Sequence, residues 1–381
     1  MNEMADATPV ELSLLRKAVQ TGIPINGSLE LLPLCNMDCD MCYVRLGREE
    51  MERKGRLRTM EKWLSLAHEM KEAGTLFLLL TGGEPLLYRD FRTLYKELRS
   101  LGMILTVNTN GTLLDEDWAD FFASFKPRRI NLTLYGTDSD TYERLCHYKA
   151  GYEKAIQAIH LLKERGIDVK VGCSAVPQNK TDTEKIFTLG KELSVPIHID
   201  SYMYPATRER ASAYDKAARL EPETAASIWF QDLKHAMPAP DYAAYRKRML
   251  QMAENLRLRA DSPIQEISGT QCMAGNCSFT INWQGEMRPC VMLSTPSAPV
   301  FQVGFKEAWK QIRTKLQKLH INSKCSTCYL RPFCHICPAS ALYESGSYDG
   351  VPDYICRLAE ASYQLLKGDS ADDANESDKE I

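Results

Sequence analysis

The sequence predicts an α/β protein: a partial, TIM-like (β/α)6 barrel followed by a cysteine-rich C-terminal region. Three observations predict it. Strand-length apolar runs alternate with helical patterns from residue 28 to residue 203. One run, Leu76-Phe77-Leu78-Leu79-Leu80, is apolar throughout, as in a strand buried on both faces of a parallel sheet. After residue 268 the composition shifts sharply toward cysteine.

Residues 8–26 form a short helix through Leu12, Leu14, Leu15 and Val19, stopped by Gly22 and Pro24. The run Leu31-Leu32-Pro33-Leu34 reads as the end of a first strand feeding the loop Cys35-Asn36-Met37-Asp38-Cys39-Asp40-Met41-Cys42-Tyr43. Met60, Trp63, Leu64, Ala67 and Met70 recur at helical spacing before Gly74 ends that helix. Residues 103–107 are the next strand, and Asp115 caps a helix with Trp118, Phe121, Phe122 and Phe125 on one face. Residues 130–135, 169–175 and 197–203 complete six strands, separated by patterns such as Tyr152, Ala155, Ile156 and Ile159. Strands alternating with helices imply right-handed parallel crossovers, and six units imply a partial barrel. The expected division is an N-terminal extension (1–27), the barrel (28–205), bridging helices (206–268, helical over 221–236 and 242–258), a cysteine-rich domain (269–367) and a disordered acidic tail (368–381).

A net charge of −3 with no sustained basic run argues against a nucleic-acid partner, and Lys126-Pro127-Arg128-Arg129 reads as a solvated loop. No apolar segment is long enough for a signal peptide or membrane span, which places the protein in the cytoplasm. In that reducing compartment thirteen cysteines argue for metal ligands over disulfides.

The three thiols of the first loop, spaced three and then two residues apart, can converge on one 4Fe-4S cluster and leave an iron open to chelate a small molecule. A zinc loop completed elsewhere, or unpaired cysteines, are the alternatives. Ligands of parallel α/β folds sit at the C-terminal ends of the strands. There Thr81-Gly82-Gly83-Glu84-Pro85 offers close backbone approach and a carboxylate for an ammonium group. Asn108 and Asn110, flanking Thr109 before Gly111, offer amides for a ribose or simply a local turn. His198, Asp200, Tyr202 and Tyr204 alternate on the sixth strand, where Asp200 and Tyr202 face a substrate or form a structural pair. The C-terminal set is Cys272, Cys277 and Cys290, then Cys325-x2-Cys328-x5-Cys334-x2-Cys337, then Cys356; two zinc sites or two iron-sulfur sites would use all eight.

Cys35-x3-Cys39-x2-Cys42-Tyr43 resembles the signature of the radical S-adenosylmethionine enzymes. The resemblance implies that these cysteines hold a 4Fe-4S cluster whose open iron chelates the methionine part of S-adenosylmethionine, which is cleaved reductively to a 5′-deoxyadenosyl radical. It implies cofactor contacts at Tyr43, at Gly82, Gly83, Glu84 and Pro85, at Asn108 and Asn110, and at the hydroxyl of Thr133. The C-terminal pattern resembles the SPASM extension of that family, with Gly285 five residues before Cys290. This implies two auxiliary 4Fe-4S clusters, one on Cys272, Cys277, Cys290 and Cys337 and one on Cys325, Cys328, Cys334 and Cys356. Only Cys146 and Cys173 remain; Cys173 reads as core, and Cys146, beside His147, as core or a hydrogen donor.

The expected function is modification of a peptide or protein side chain or α-carbon by crosslinking, epimerisation or oxidation, the auxiliary clusters carrying electrons. Expected partners are the substrate polypeptide and an electron donor such as flavodoxin or ferredoxin; with only 34 residues before Cys35, a leader peptide would need a separate leader-recognition protein or direct contacts. Formylglycine formation is an alternative, but Val291 follows Cys290 where sulfatase maturases carry an aspartate, so Asp200 would have to serve as base. A small-molecule radical dehydrogenase, with Arg208 and Arg210 as contacts, is another, and a non-catalytic zinc or iron-sulfur redox protein the last.

Overall fold

In the computed structural model, residues 8–205, 219–258 and 267–369 are described. Helix α1 (Pro9–Thr21) begins in a capping box between Thr8 and Glu11 and stops at Gly22, whose φ of 71° suits a glycine. The barrel then runs β1 (Asn26–Glu30), α2 (Arg48–Lys54), α3 (Met60–Glu72), β2 (Phe77–Thr81), α4 (Phe91–Ser100), β3 (Ile104–Thr109), α5 (Glu116–Ser124), β4 (Arg129–Thr133), α6 (Ser139–Cys146), α7 (Gly151–Glu164), β5 (Val169–Ser174), α8 (Thr183–Leu193) and β6 (Ile197–Asp200). Helices α9 (Pro222–Ala236) and α10 (Ala239–Arg257) follow. The C-terminal region contributes β7 (Ser278–Ile281), β8 (Glu286–Arg288), β9 (Ala298–Pro299), α11 (Val300–Val303), α12 (Phe305–Leu316), α13 (Pro338–Ser345) and α14 (Asp353–Gly368).

Strands β1 to β6 are parallel neighbours in chain order, the wall expected of a partial barrel. Side chains alternate across it. Leu78, Leu80, Leu105, Val107, Ile130, Leu132, Val169 and Val171 are buried in the main core that α3, α4, α5 and α7 complete. The other set, including Phe77, Leu79, Asn108, Asn131, Thr133 and Lys170, lines an interior cavity of about 320 Å³. The all-apolar run at 76–80 is therefore buried on one face and opens to the cavity on the other, because a partial barrel is not filled by its own side chains. Beneath the barrel, Leu15 and Ala18 of α1 pack on Ile25 and Cys277, and Glu11 pairs with Arg128 at 2.8 Å.

Three expectations need correction. Among the described residues the sheet does not end with the six barrel strands but has nine: β7 pairs parallel with β1, and β8 and β9 extend it antiparallel. Their short segments interrupt no long apolar run and carry little signal. Strand β1 ends at Glu30, and residues 31–34 continue extended against the Gly82-Gly83 loop. Strand β6 ends at Asp200, so Tyr202 and Tyr204 lie beyond it, where Asp200 Oδ1 accepts the Tyr202 amide at 3.1 Å and turns the chain. Arg208 and Arg210 lie outside the described residues, as does the tail from residue 370. No helix among the described residues is long and apolar enough to cross a membrane.

Candidate active site

The cysteine loop leaves β1 at the C-terminal end of the sheet and is tied down on both sides. On one side the amides of Asp38 and Asp40 donate to the carbonyls of Cys146 and Leu145, and His147 Nε2 lies 2.7 Å from Asp40 Oδ1. On the other, Gly83 N donates to Leu32 O at 2.8 Å and Glu84 N to Leu34 O at 2.9 Å, docking the glycine loop on the chain that leads into Cys35. A Cβ at Gly83 would lie 2.3 Å from Leu34 O, and one at Gly82 would lie 2.5 Å from Leu32 O. Both glycines are needed for this backbone-to-backbone contact. Pro85 opens a short 3-10 turn, Pro85–Leu87, and Tyr43 is half-buried at the loop's end.

Glu84 is fully buried at the centre of this region. Its carboxylate accepts Leu86 N at 3.1 Å, Thr109 Oγ1 at 2.8 Å and Asn110 N at 2.9 Å. Burial pushes its pKa up to about 7 against those three hydrogen bonds, so near neutrality an arriving cation would restore the charge. Asn110 Nδ2 donates to Asn36 Oδ1 at 3.0 Å and lies 3.5 Å from Cys35 Sγ, while its Oδ1 accepts Thr112. Asn108 accepts Asn131 Nδ2 at 2.8 Å and lines the interior cavity with Thr133. Asn110 thus serves the cysteine loop, and Asn108 and Thr133 face the space inside the barrel.

The thiols fall into groups. Burial raises the Cys35 thiol to about 12, with further increments from the nearby charges of Glu84, Cys42 and Cys39. A hydrogen bond with the thiol of Cys146, together with burial, holds the Cys39 thiol well above its ordinary pKa. Sequence reasoning gave Cys146 as core or a hydrogen donor; it is fully buried in the main core, and the packing of α6 on the loop makes it a neighbour of Cys39. Burial and the charges of Cys337 and Cys272 raise Cys290 to about 11. Cys325 is raised by burial and by Cys356 and Cys328, and Cys334 to about 11 by burial and by Cys356 and Cys325. Cys277 is buried beside Leu15, Ala18 and Ile25, and Cys173 is core.

This donor chemistry fits iron-sulfur ligation. Thiols held together at raised pKa relax when cationic iron takes their protons' place. Amide donors aim at several sulfurs: Met37 N at Cys35 (3.4 Å), Arg45 N at Cys42 (3.3 Å), Leu293 N at Cys290 (3.3 Å) and Ser340 N at Cys337 (3.5 Å). Such bonds to sulfur tune cluster potentials. Among the described residues no three His, Cys, Asp or Glu side chains converge on a single-ion site.

Between β6 and the C-terminal region lies a second cavity of about 600 Å³, lined by His198, Asp200, Tyr202, Tyr204, Trp229, Arg331 and His335 together with Cys272, Cys334 and Cys337. Asp200 is walled by protein but keeps open surface toward this space, and desolvation raises its pKa. Tyr202 donates to Glu344 at 2.9 Å, and Glu344 is clamped by Arg219, whose guanidinium stacks 3.7 Å over Tyr354.

An open α/β barrel thus carries a triple-thiol loop and a Gly-Gly-Glu loop beyond the C-terminal ends of its first two strands. Residues 29–190 match the Radical SAM superfamily, so the chain carries a radical SAM domain and is a radical SAM enzyme. That membership implies S-adenosylmethionine and one 4Fe-4S cluster. Among curated proteins, the chain is similar to the AdoMet-dependent heme synthase of Methanosarcina barkeri, 22% identical over 84% of this chain and 92% of that one. It is also similar to the sporulation killing factor maturation protein SkfB of Bacillus subtilis, 26% identical over 45% of this chain and 44% of the relative. Among solved structures, Streptococcus suis SuiB bound to precursor peptide SuiA shares the fold at 17% identity and a TM-score of 0.63, over 93% of this chain and 82% of SuiB.

Proposed function

We propose that this radical SAM enzyme modifies a peptide or protein, taking a hydrogen atom from a side chain or α-carbon so that a crosslink, an epimer or an oxidised residue results. The observation that carries the reading is a pair of cavities that share His198 in their walls: an interior one of about 320 Å³ reaching Thr133, and a larger one of about 600 Å³ walled in part by the C-terminal cysteines. The SkfB similarity and the peptide-bound SuiB fold support it. In this reading Cys35, Cys39 and Cys42 hold the radical cluster. The two SPASM-type auxiliary clusters are held by Cys272, Cys277, Cys290 and Cys337 and by Cys325, Cys328, Cys334 and Cys356.

S-adenosylmethionine bound there supplies the 5′-deoxyadenosyl radical. The chain's own residues do the rest. Glu84 receives the methionine ammonium, which returns its buried carboxyl to the ionised form. Asn110 and the amides of Met37 and Arg45 fix the cluster thiolates. Thr133 and Asn108, which line the interior cavity, would border the cofactor, and Asp200, which lines the second cavity, would stand at the substrate side. Val291 still leaves formylglycine formation without the carboxylate next to Cys290, and Asp200 is the acid that would replace it.

The test is incubation of anaerobically loaded, reduced protein with S-adenosylmethionine and a precursor peptide encoded beside its gene. Loss of hydrogen from the peptide, or deuterium gain in heavy water, together with 5′-deoxyadenosine supports the reading; an unaltered peptide beside released 5′-deoxyadenosine contradicts it. A small-molecule substrate is the second reading, favoured by a heme synthase similarity that spans 84% of the chain. An iron-porphyrin precursor offered in the same assay separates the two.

A further inference from the structure

We propose that the gap over Gly172 seats the reacting part of the substrate, and that His198, oriented by Asp232, takes a proton from it there. The proposal rests on the reading above, that hydrogen is abstracted from a substrate inside this barrel.

The register supplies the seat. Thr133 on β4 pairs with Gly172 on β5, and Gly172 pairs with His198 on β6. All three line the interior cavity. Adjacent strands lie about 4.8 Å apart, so Thr133 and His198 stand roughly 10 Å apart with the glycine between them. A Cβ at Gly172 would meet no atom within 4 Å, and its φ is not positive. Neither backbone geometry nor packing demands a glycine; what the missing side chain leaves is volume, between a residue proposed to border the cofactor and a histidine.

The histidine is gripped from outside the barrel. Asp232 on α9 is 3% exposed; its Oδ1 accepts Ile199 N at 2.8 Å and its Oδ2 lies 2.7 Å from His198 Nδ1. The amide bond has a structural duty, since Ile199 lies on the edge strand and its N–H needs an acceptor. The ring bond has a different consequence. Opposite a carboxylate the neutral imidazole carries its proton on Nδ1, which makes Nε2 the accepting nitrogen of a ring that lines the cavity. His198 lines the second cavity as well, so the ring stands where the two spaces meet, with Asp200 two residues on along the same strand face.

The substrate class follows from the chemistry. Loss of a hydrogen atom leaves a carbon radical, and an O–H, N–H or S–H on or beside that carbon becomes far more acidic than in the parent. The heteroatom–hydrogen bond breaks, its electron pair stays on the substrate, and an Nε2–H bond forms. The products are a substrate radical anion and an imidazolium paired with Asp232, and this step needs no oxidant. Residues with a heteroatom on or beside the reacting carbon, such as serine, threonine, cysteine or a backbone α-carbon, fit the seat.

The test uses the full chain, loaded anaerobically and labelled with 15N-histidine. Long-range 1H–15N correlation should show the resonance that His198→Gln removes in the Nδ1–H form, and Asp232→Asn should shift it toward the Nε2–H form. A parental Nε2–H form overturns the proposal. With precursor peptide, S-adenosylmethionine and dithionite, His198→Gln should lower product per 5′-deoxyadenosine released by about a hundredfold, and added imidazole should restore about tenfold to His198→Gly. Gly172→Val should lower the same ratio by filling the seat. An unchanged ratio in His198→Gln or Gly172→Val overturns the proposal. If the parental enzyme modifies no peptide, the substrate-class reading falls, and the tautomer of His198 alone decides this one.

Discussion

Alanine at Gly83, in the loop after β2, and alanine at Gly172, within β5, are the same chemical change, yet the structure predicts opposite outcomes. At Gly83 the new methyl would sit 2.3 Å from Leu34 O, 2.7 Å from the Leu34 carbonyl carbon and 2.9 Å from Pro33 O. These are backbone atoms directly before Cys35, so no side-chain rotation relieves the clash. Relief requires parting the loop from residues 32–34 and loses the bonds from Gly83 N to Leu32 O and from Glu84 N to Leu34 O. Two bonds at about 1 kcal/mol each, with about 1–3 kcal/mol of overpacking, give a cost of about 3–5 kcal/mol. At Gly172 nothing lies within 4 Å, and a strand-interior glycine gives up about 0.5–1 kcal/mol relative to alanine, so Gly172→Ala should be neutral or slightly stabilising. Urea unfolding of both variants beside the parent, followed by tryptophan fluorescence, measures the contrast. A Gly83→Ala chain within about 1 kcal/mol of the parent, well under the overpacking estimate, would refute the docking of the two loops.

Other consequences are equally direct. Arg128 holds the Glu11 carboxyl down at about 2, below its unfolded value, so the pair stabilises α1 above pH 4.5 and the benefit fades as pH falls toward 2. After allowance for solvent screening, Glu11→Gln should cost about 1 kcal/mol at pH 7 and almost nothing near pH 2, read from paired unfolding curves. Glu344→Gln leaves the Arg219 guanidinium buried without its counter-charge and should cost about 3–5 kcal/mol in the same assay, whereas an Arg219→Met, Glu344→Met double variant should recover much of that. Asn110→Ala removes the amide beside Cys35 and should make the potential of the radical cluster more negative, measured by a spectroscopic redox titration. Glu84→Gln should weaken S-adenosylmethionine binding at least about tenfold by isothermal titration, as expected from loss of one charge-assisted hydrogen bond in a buried site.

The sequence carried the barrel because its signals are local. The 76–80 run, the Asp115 cap and the Trp118, Phe121, Phe122 face each lie within one element, and each element forms where they stand. Strands β7 to β9 were not legible, since each is four residues or fewer and β7, which joins them to the barrel, pairs with β1 about 250 residues earlier in the chain. The same limit applies to the site. Cys35, Cys39, Cys42, Gly82, Gly83 and Glu84 announce themselves by spacing, but Asp232 is one acidic residue on an amphipathic helix until β6 is laid against it. Cys146 was visible only as a leftover thiol, because its contact with Cys39 spans two elements. Asn110 offered either an amide for a ribose or a local turn; the fold adds bonds from its amide toward Cys35 and Asn36, set by the distance between loops, which no local pattern encodes.

The central claim is three clusters in one radical SAM enzyme, and iron with acid-labile sulfide per chain tests it most directly. Anaerobically reconstituted protein should hold about twelve irons, falling to about eight when Cys35, Cys39 and Cys42 are changed to alanine. Zinc in the C-terminal region with only about four irons elsewhere would contradict the claim and leave a radical enzyme carrying a structural appendage.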